Sequence, residues 1–200
     1  MAILGTEITG VWIDEISSVS FTDKDKLRIA SPKGVLKEAA LDKLNELPVE
    51  LGEAIKANCV LTGGATASVA HWEKPNDFDF YCKRKIMVLK LKSLLDKYST
   101  FVKDVDDKYI DKFVDGKCIT ANAVTLTNGV QIIIKGAFEE MHDNFDFIHC
   151  QPYYDFVEDK FWISAKQYYA IMHKKLVKNP KGVCEQERIQ KFKDRGWTTV

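Results

Sequence analysis

Residues 61–81 read LTGGATASVAHWEKPNDFDFY, and two patterns within them decide the fold. Cys59-Val60-Leu61 is a short apolar run of buried-strand type. Gly63-Gly64 follows, and Ala65 to Trp72 then has helix-forming residues without a breaker. A strand, a glycine turn and a helix start aim backbone N–H groups and the positive helix end at one point, where an anion is stabilised. A Gly-Gly turn alone is more often just a turn. Lys74-Pro75-Asn76 breaks the helix, and Asp77-Phe78-Asp79-Phe80-Tyr81-Cys82 runs with period two. Alternation puts Asp77, Asp79 and Tyr81 on one strand face and Phe78, Phe80 and Cys82 on the other. Two carboxylates side by side on an otherwise apolar strand repel each other and lose hydration. A hard divalent ion such as Mg²⁺ relieves both, and is content with one or two carboxylates plus phosphate oxygens. The competing reading is an edge strand with both acids in water.

Outward from that stretch the signals are mixed. Residues 1–30 show no clean period, and their role stays open. Ser31-Pro32 opens a helix with Leu36, Ala40, Leu44 and Leu47 at helical spacing, ending near Pro48. A short helix over 48–57 turns Leu51 and Ile55 inward. After Lys83-Arg84-Lys85 an amphipathic helix carries Met87, Leu91, Leu94, Leu95 and Tyr98 on one stripe, which reads as core. Asp104 to Asp115 lacks calcium-loop spacing and reads as a solvated loop or weak helix. Cys118 to Lys135 is the best hairpin in the chain, with Asn128-Gly129 as a two-residue turn of the I′ kind. A helix over 137–144 follows, and Phe145-Asp146-Phe147-Ile148-His149-Cys150 repeats the earlier alternation as a second acidic strand.

Near the C-terminus Ser164 to Gln167 has capping-box form and starts a helix with Tyr168, Tyr169, Met172 and Leu176 inward. A last helix over 184–195, stopped by Gly196, sets Arg188, Lys191 and Arg195 on one face, free for a polyphosphate or nucleic-acid backbone. His71, His142, His149 and His173 have no ligand spacing and read as structural.

Composition bounds these readings. The chain has 200 residues, 46% hydrophobic and 29% charged, enough for one core with at most a small lobe. Its 29 basic and 29 acidic residues cancel, yet residues 160–200 hold ten Lys/Arg against three acids, a local +7 that leaves −7 elsewhere. Cys59, Cys82, Cys118, Cys150 and Cys184 stand singly, and an odd number cannot pair completely, so a reducing compartment is expected. With no basic start before an apolar run and no apolar stretch near the ~20 residues of a membrane span, a cytoplasmic protein without a membrane partner is expected.

The third acid gives these parts a common meaning. Strand, glycine turn and helix, then an Asp-x-Asp strand, then a hairpin and a further acidic strand, resemble the DNA polymerase β-type nucleotidyltransferase superfamily. The second glycine and first aspartate lie 77 − 64 = 13 positions apart, which also fits. The likeness is nearest to small phage and bacterial nucleotidyltransferase-like proteins. It runs through Thr62-Gly63-Gly64, Asn76-Asp77-Phe78-Asp79, Ala121-Asn122-Ala123, Asn144 to His149, and Arg188 to Trp197. The resemblance implies an α+β fold of the polymerase β-like nucleotidyltransferase kind, a mixed sheet flanked by helices with a helical C-terminal part. Its core would be residues 31–158, with a basic helical part over 159–200 packed on it.

It implies that Asp77, Asp79 and Asp146 bind Mg²⁺ or Mn²⁺ and are catalytic, and that Gly63, Gly64 and Ser68 hold the nucleotide. The substrate would be an NTP and the acceptor hydroxyl an RNA or tRNA end, in the cytoplasm (that of the host for a phage-borne chain). One departure matters. No Lys or Arg follows Gly64 closely, so triphosphate charge would be met by Lys83, Arg84, Lys174, Arg188, Lys191 or Arg195. The rival reading is a noncatalytic module of the same fold that binds nucleic acid or a partner protein.

Overall fold

The period-two run forms strand β3, Phe78–Cys82, with Phe78, Phe80 and Cys82 buried and Asp79 and Tyr81 on the opposite face. Asp77 lies one residue ahead of the strand and is half-buried. The computed structural model describes residues 11–12, 23–103, 112–114, 117–119, 123–184 and 186–199. β3 sits between β2, Cys59–Thr62, which runs antiparallel to it, and β7, Val130–Ile133, which runs parallel. Beyond β7 lies β6, Ala123–Thr125; beyond β2 lie β8, Tyr153–Asp155, then β9, Lys160–Ile163, then β1, Val11–Trp12. The result is a seven-stranded mixed sheet in the order β1-β9-β8-β2-β3-β7-β6.

Helices flank it as expected for an α+β fold. They are α1 (Asp23–Asn45), α2 (Val49–Asn58), α3 (Gly64–Ala70), α4 (Lys85–Lys97), α5 (Phe138–Met141), α6 (Ala165–Met172) and α7 (Gln186–Lys193). Leu36, Ala40 and Leu44 of α1, Leu51 and Ile55 of α2 and Leu91 and Leu95 of α4 join Phe78, Phe80 and Cys82 in one apolar core. The expected inward residues of the first two helices are therefore where the spacing puts them.

Several elements depart from the sequence reading. α1 already begins at Asp23, so Pro32 lies inside it; a helix of 23 residues absorbs the loss of one backbone bond. The β6–β7 hairpin forms in the register Ala123↔Ile133, but its turn is of another type. Leu126 C=O accepts from Gly129 N–H, and of the turn residues only Gly129 has positive φ, at +88°. That is a three-residue loop closed by a left-handed glycine instead of a two-residue mirror turn. A small separate hairpin, β4 (Lys112–Val114) with β5 (Lys117–Ile119), replaces part of the expected loop, while 104–111 and Ala121-Asn122 lie outside the described residues. α6 has its capping box, Ser164 Oγ accepting from Gln167 N–H and Gln167 Oε1 from Ser164 N–H, but it buries Gln167, Ala170 and Ile171 and leaves Tyr169 exposed.

The largest departure concerns Phe145 to Cys150, which is not a strand of the sheet. Phe147 makes one isolated bridge to Lys178, and Ile148–Cys150 is a 3-10 turn. Asp146 supplies the local reason, since its Oδ1 accepts from Phe147 N–H at 2.9 Å and diverts that donor from any ladder.

His149 in this segment is fully buried, its ring stacked on Trp197 with centroids 4.1 Å apart and edge-on to Phe192. Neither ring nitrogen has a partner. Burial, aided by Arg188 and Arg195, pushes its pKa down from 6.5 to about 3. The unfolded chain therefore takes up a proton below pH 6.5 that the folded one refuses until about pH 3, and stability falls through that window at up to about 1.4 kcal/mol per pH unit. Replacing His149→Leu should raise Tm at pH 5 by more than at pH 8, as followed by circular dichroism; an equal change at both pH values would refute the titration.

Candidate functional site

The site begins where β2 meets α3. Thr62 pairs with Asp79 across the sheet, so the next residue, Gly63, passes directly over the Asp79 carboxylate. Gly63 has φ +80°, and a Cβ built on it would lie 2.4 Å from Asp79 Oδ2. Only glycine meets both conditions. Gly64 opens α3, and a Cβ there would meet nothing within 4 Å.

The same turn is tied to the segment that carries the third acid. Gly63 N–H donates to Cys150 C=O at 3.0 Å, and Thr62 Oγ1 donates to the same carbonyl and to Pro152 C=O. The N–H of Gly63 is thus engaged within the protein. Asp146 is held from the other side by Asn179, Gly182 and Arg188. Asn179, buried, gives its N–H to Asp146 C=O at 2.9 Å and its amide nitrogen to Asp143 C=O and Phe145 C=O at 2.7 and 2.8 Å. Gly182 passes so close to Phe145 C=O that a Cβ would sit 2.2 Å from it. Finally, Arg188 on α7 ion-pairs through Nε with Asp146 Oδ2.

These elements enclose a cavity of about 620 Å³. Gly63, Asp79, Tyr81, Lys135, Asp146 and Arg188 give its polar wall, and Ile133, Met141, Phe145 and Val183 contribute apolar surface. Burial, and secondly the charge of Asp77, push the Asp79 carboxyl up from 3.8 to about 7, with Arg188 and Lys191 pulling the other way. Burial likewise pushes the Cys150 thiol up to about 12, so it stays neutral.

Asp79, Asp146 and Gly63 are therefore brought together, and Asp77 stands one step away. It lines a neighbouring cavity of about 710 Å³ with Lys74, Asn76, Lys103 and Asn128. The remaining sites expected from sequence lie elsewhere. Ser68 is buried, donates back to Gly64 C=O and accepts from Arg195 Nη2 at 2.8 Å, so its hydroxyl serves α3 and the C-terminal segment. Lys83 pairs with Asp155, and Lys174 and Arg195 both pair with Glu73. The basic face of α7 is thus largely spoken for; Lys191 on it and Arg84 ahead of α4 are exposed. Lys135, exposed at the end of β7 and lining the cavity, was missed by the sequence reading, although a β-branched run ending in Lys-Gly marks a strand end. Asn179 gave no signal beyond a turn.

The donor set is one of hard carboxylate oxygens, which suits Mg²⁺ or Mn²⁺. Asp79 favours such an ion because its ionised form is disfavoured as it stands. Among the described residues, however, no three acids, histidines or cysteines already converge as a ready metal cage. Arg188 explains part of this, because it already neutralises Asp146.

Fold and site together define an α+β protein with an acidic pocket built on a glycine turn and a mixed sheet. Residues 35–178 match the family described as Gabija anti-defense 2, Gad2. That span covers most of the chain, and the chain belongs to the Gad2 family. No curated protein matches the sequence. Among solved structures it is similar to two CCA-adding enzymes. The Thermotoga maritima enzyme complexed with tRNA has a TM-score of 0.42 and 11% identity over 96% of this chain and 43% of that one. An apo form of a CCA-adding enzyme has 0.42 and 11% over 84% and 36%. This chain spans less than half the length of either.

Two neighbouring glycines should respond oppositely to one methyl group. Gly63→Ala forces both a disfavoured φ and the contact with Asp79, and should cost more than about 1 kcal/mol by urea denaturation. Gly64→Ala, in open space at a helix start, should be neutral or stabilising. Equal losses would refute the close approach.

Proposed function

We propose that this chain is a metal-dependent nucleotidyltransferase that moves a nucleoside monophosphate from an NTP to an acceptor hydroxyl, with an RNA 3′ end as the acceptor. The observation that carries the reading is the Asp79 carboxyl, half-buried against the Gly63 turn in the same cavity as Asp146 and pushed up to about 7 by desolvation and by Asp77. An ionisable group shifted by burial and a like charge, in a cleft, marks a functional site. Asp77 and Asp79 would hold the ion, and Asp146 would join them once Arg188 swings away. Bound there, divalent ions supply charge to the attacking and leaving oxygens of an in-line displacement at the α-phosphate, with pyrophosphate leaving. Arg188, released from Asp146, would turn with Lys135 to the triphosphate, supplying the cations absent after Gly64. Gly63 lets Asp79 lie against the turn, and Gly64, with open space beside it, lets the substrate approach the backbone closely.

The Arg188–Asp146 pair also favours a second reading. An arginine standing where a metal would stand suits a noncatalytic module that binds nucleic acid or a partner protein, and the anti-defence description of the family is compatible with either.

Transfer of label from each NTP to total RNA with Mg²⁺ or Mn²⁺ separates the two. Loss of transfer in both Asp77→Ala and Asp146→Ala supports the enzyme, whereas transfer unchanged in both sinks the site assignment.

A second measurement needs no substrate. Asp79 has a folded pKa above its unfolded one, so its contribution is fully present below about pH 3.8 and is lost as pH rises through about 7. Mg²⁺ should restore it. At pH 8, saturating Mg²⁺ should raise Tm by at least about 2–4 °C, the equivalent of roughly 1 kcal/mol in a chain of this size. The rise should be much smaller at pH 5.5. Asp79→Asn should raise Tm without metal and abolish the Mg²⁺ response; a pH-independent response would count against Asp79 as a ligand.

A further inference from the structure

α3 ends in a reciprocal pair of backbone bonds, Trp72 N–H to Val69 C=O at 3.0 Å and Glu73 N–H to Ser68 C=O at 2.9 Å. This is the Schellman arrangement, whose left-handed position glycine normally takes. Here it is held by Trp72, with φ +58°. A left-handed backbone is unfavourable for a residue with a Cβ, and packing does not compensate, because Trp72 is 77% exposed. Strain retained at a large aromatic side chain that buries almost nothing points to a partner outside the fold.

The charges around it identify the chemistry of that partner. Glu73 is the acid next to Trp72, and Lys174 Nζ and Arg195 Nη2 both pair with it, at 2.6 and 2.8 Å, so one positive charge remains in excess. Exposed Lys74 adds another. Trp72 is thus an exposed indole next in sequence to a cluster with net positive charge.

We propose that Trp72 is a stacking platform for single-stranded nucleic acid, with a base on the indole and backbone phosphates drawn by Lys74 and by the net positive charge of the Lys174–Glu73–Arg195 cluster. Every base has a face to stack, so such a platform is tolerant of sequence, and its cations make binding fall with salt. α3, seven residues long, joins this platform to the Gly63 turn, a rise of about 10 Å. A strand on Trp72 would therefore lie near the candidate site. The inference extends the reading of RNA as acceptor, and binding alone tests it.

Fluorescence polarisation of labelled 12-nucleotide single strands, RNA and DNA, with the full chain is the experiment. Trp72→Gly should weaken binding by about tenfold, the range of one lost base stack, and Trp72→Phe should retain most of it. Because glycine suits the left-handed position, Trp72→Gly should melt no lower than the parent protein. Lys74→Ala should flatten the salt dependence. Weakening on both strands supports recognition of bases and phosphates, and weakening on RNA alone adds recognition of the 2′-hydroxyl. Binding of both strands unchanged by Trp72→Gly overturns the proposal, as does a lower Tm for that variant or polyglutamate competing as well as the oligonucleotide. Asp77→Ala should still bind the strand, so loss of transfer with retained binding is a failure of a different kind from loss of the platform.

Discussion

The constraint on which the site depends is the contact between the Gly63 backbone and the Asp79 carboxylate. β2 and β3 pair so that Thr62 stands opposite Asp79, and the chain leaving β2 must cross that carboxylate before α3 can begin. Any side chain at Gly63 would collide with it. A carboxylate is thereby held under a backbone turn, partly shielded from water, beside a second acid. Burial and like charge together make its ionised form unfavourable, and that imbalance is what a cation would relieve. A glycine that looks conventional in sequence is here the condition for a half-buried acid.

The C-terminal segment does for Asp146 what the sheet does for Asp79. Asn179 and Gly182 fix the backbone around it, Arg188 neutralises it, and Phe192 and Trp197 pack on Phe147 and His149 just beyond it. The lysines and arginines that make this part of the chain strongly basic in sequence are therefore not simply a surface for polyanions. Lys174, Arg188 and Arg195 each meet an acid of the protein. A chain of zero net charge with a basic end and an acidic remainder has folded the one onto the other.

The legible parts of the fold were those set by local periodicity. The alternation of Phe78, Asp79, Phe80 and Tyr81, the spacing of Leu36, Ala40 and Leu44, and the capping box at Ser164 each declare which atoms face which way within a few residues. What could not be read was set by distant partners. The Phe145 to Cys150 run has the alternation of a strand, yet its backbone donors and acceptors go to Asp146 itself, Val177 and Asn179 instead of to a neighbouring strand. Ser68 looks like a nucleotide contact one turn into a helix, and only the position of Arg195 shows where its hydroxyl goes. The turn at Asn128-Gly129 was recognisable as a turn, while its type depended on which residue took the positive φ. Lys135 became meaningful once β7 was known to run parallel to β3, which carries the end of β7 to the cavity.

The way Asp146 is fastened also sets an order in time. β2, α3 and β3 can come together once residues up to Cys82 exist, but the bonds that place Asp146 come from Asn179, Gly182 and Arg188. A ribosome working from the N-terminus exposes the paired acids of the sheet well before the segment that positions the third. The pocket is thus assembled last, by closure of a late segment over an early framework, and a chain interrupted before residue 179 would have the glycine turn and its aspartates without the site.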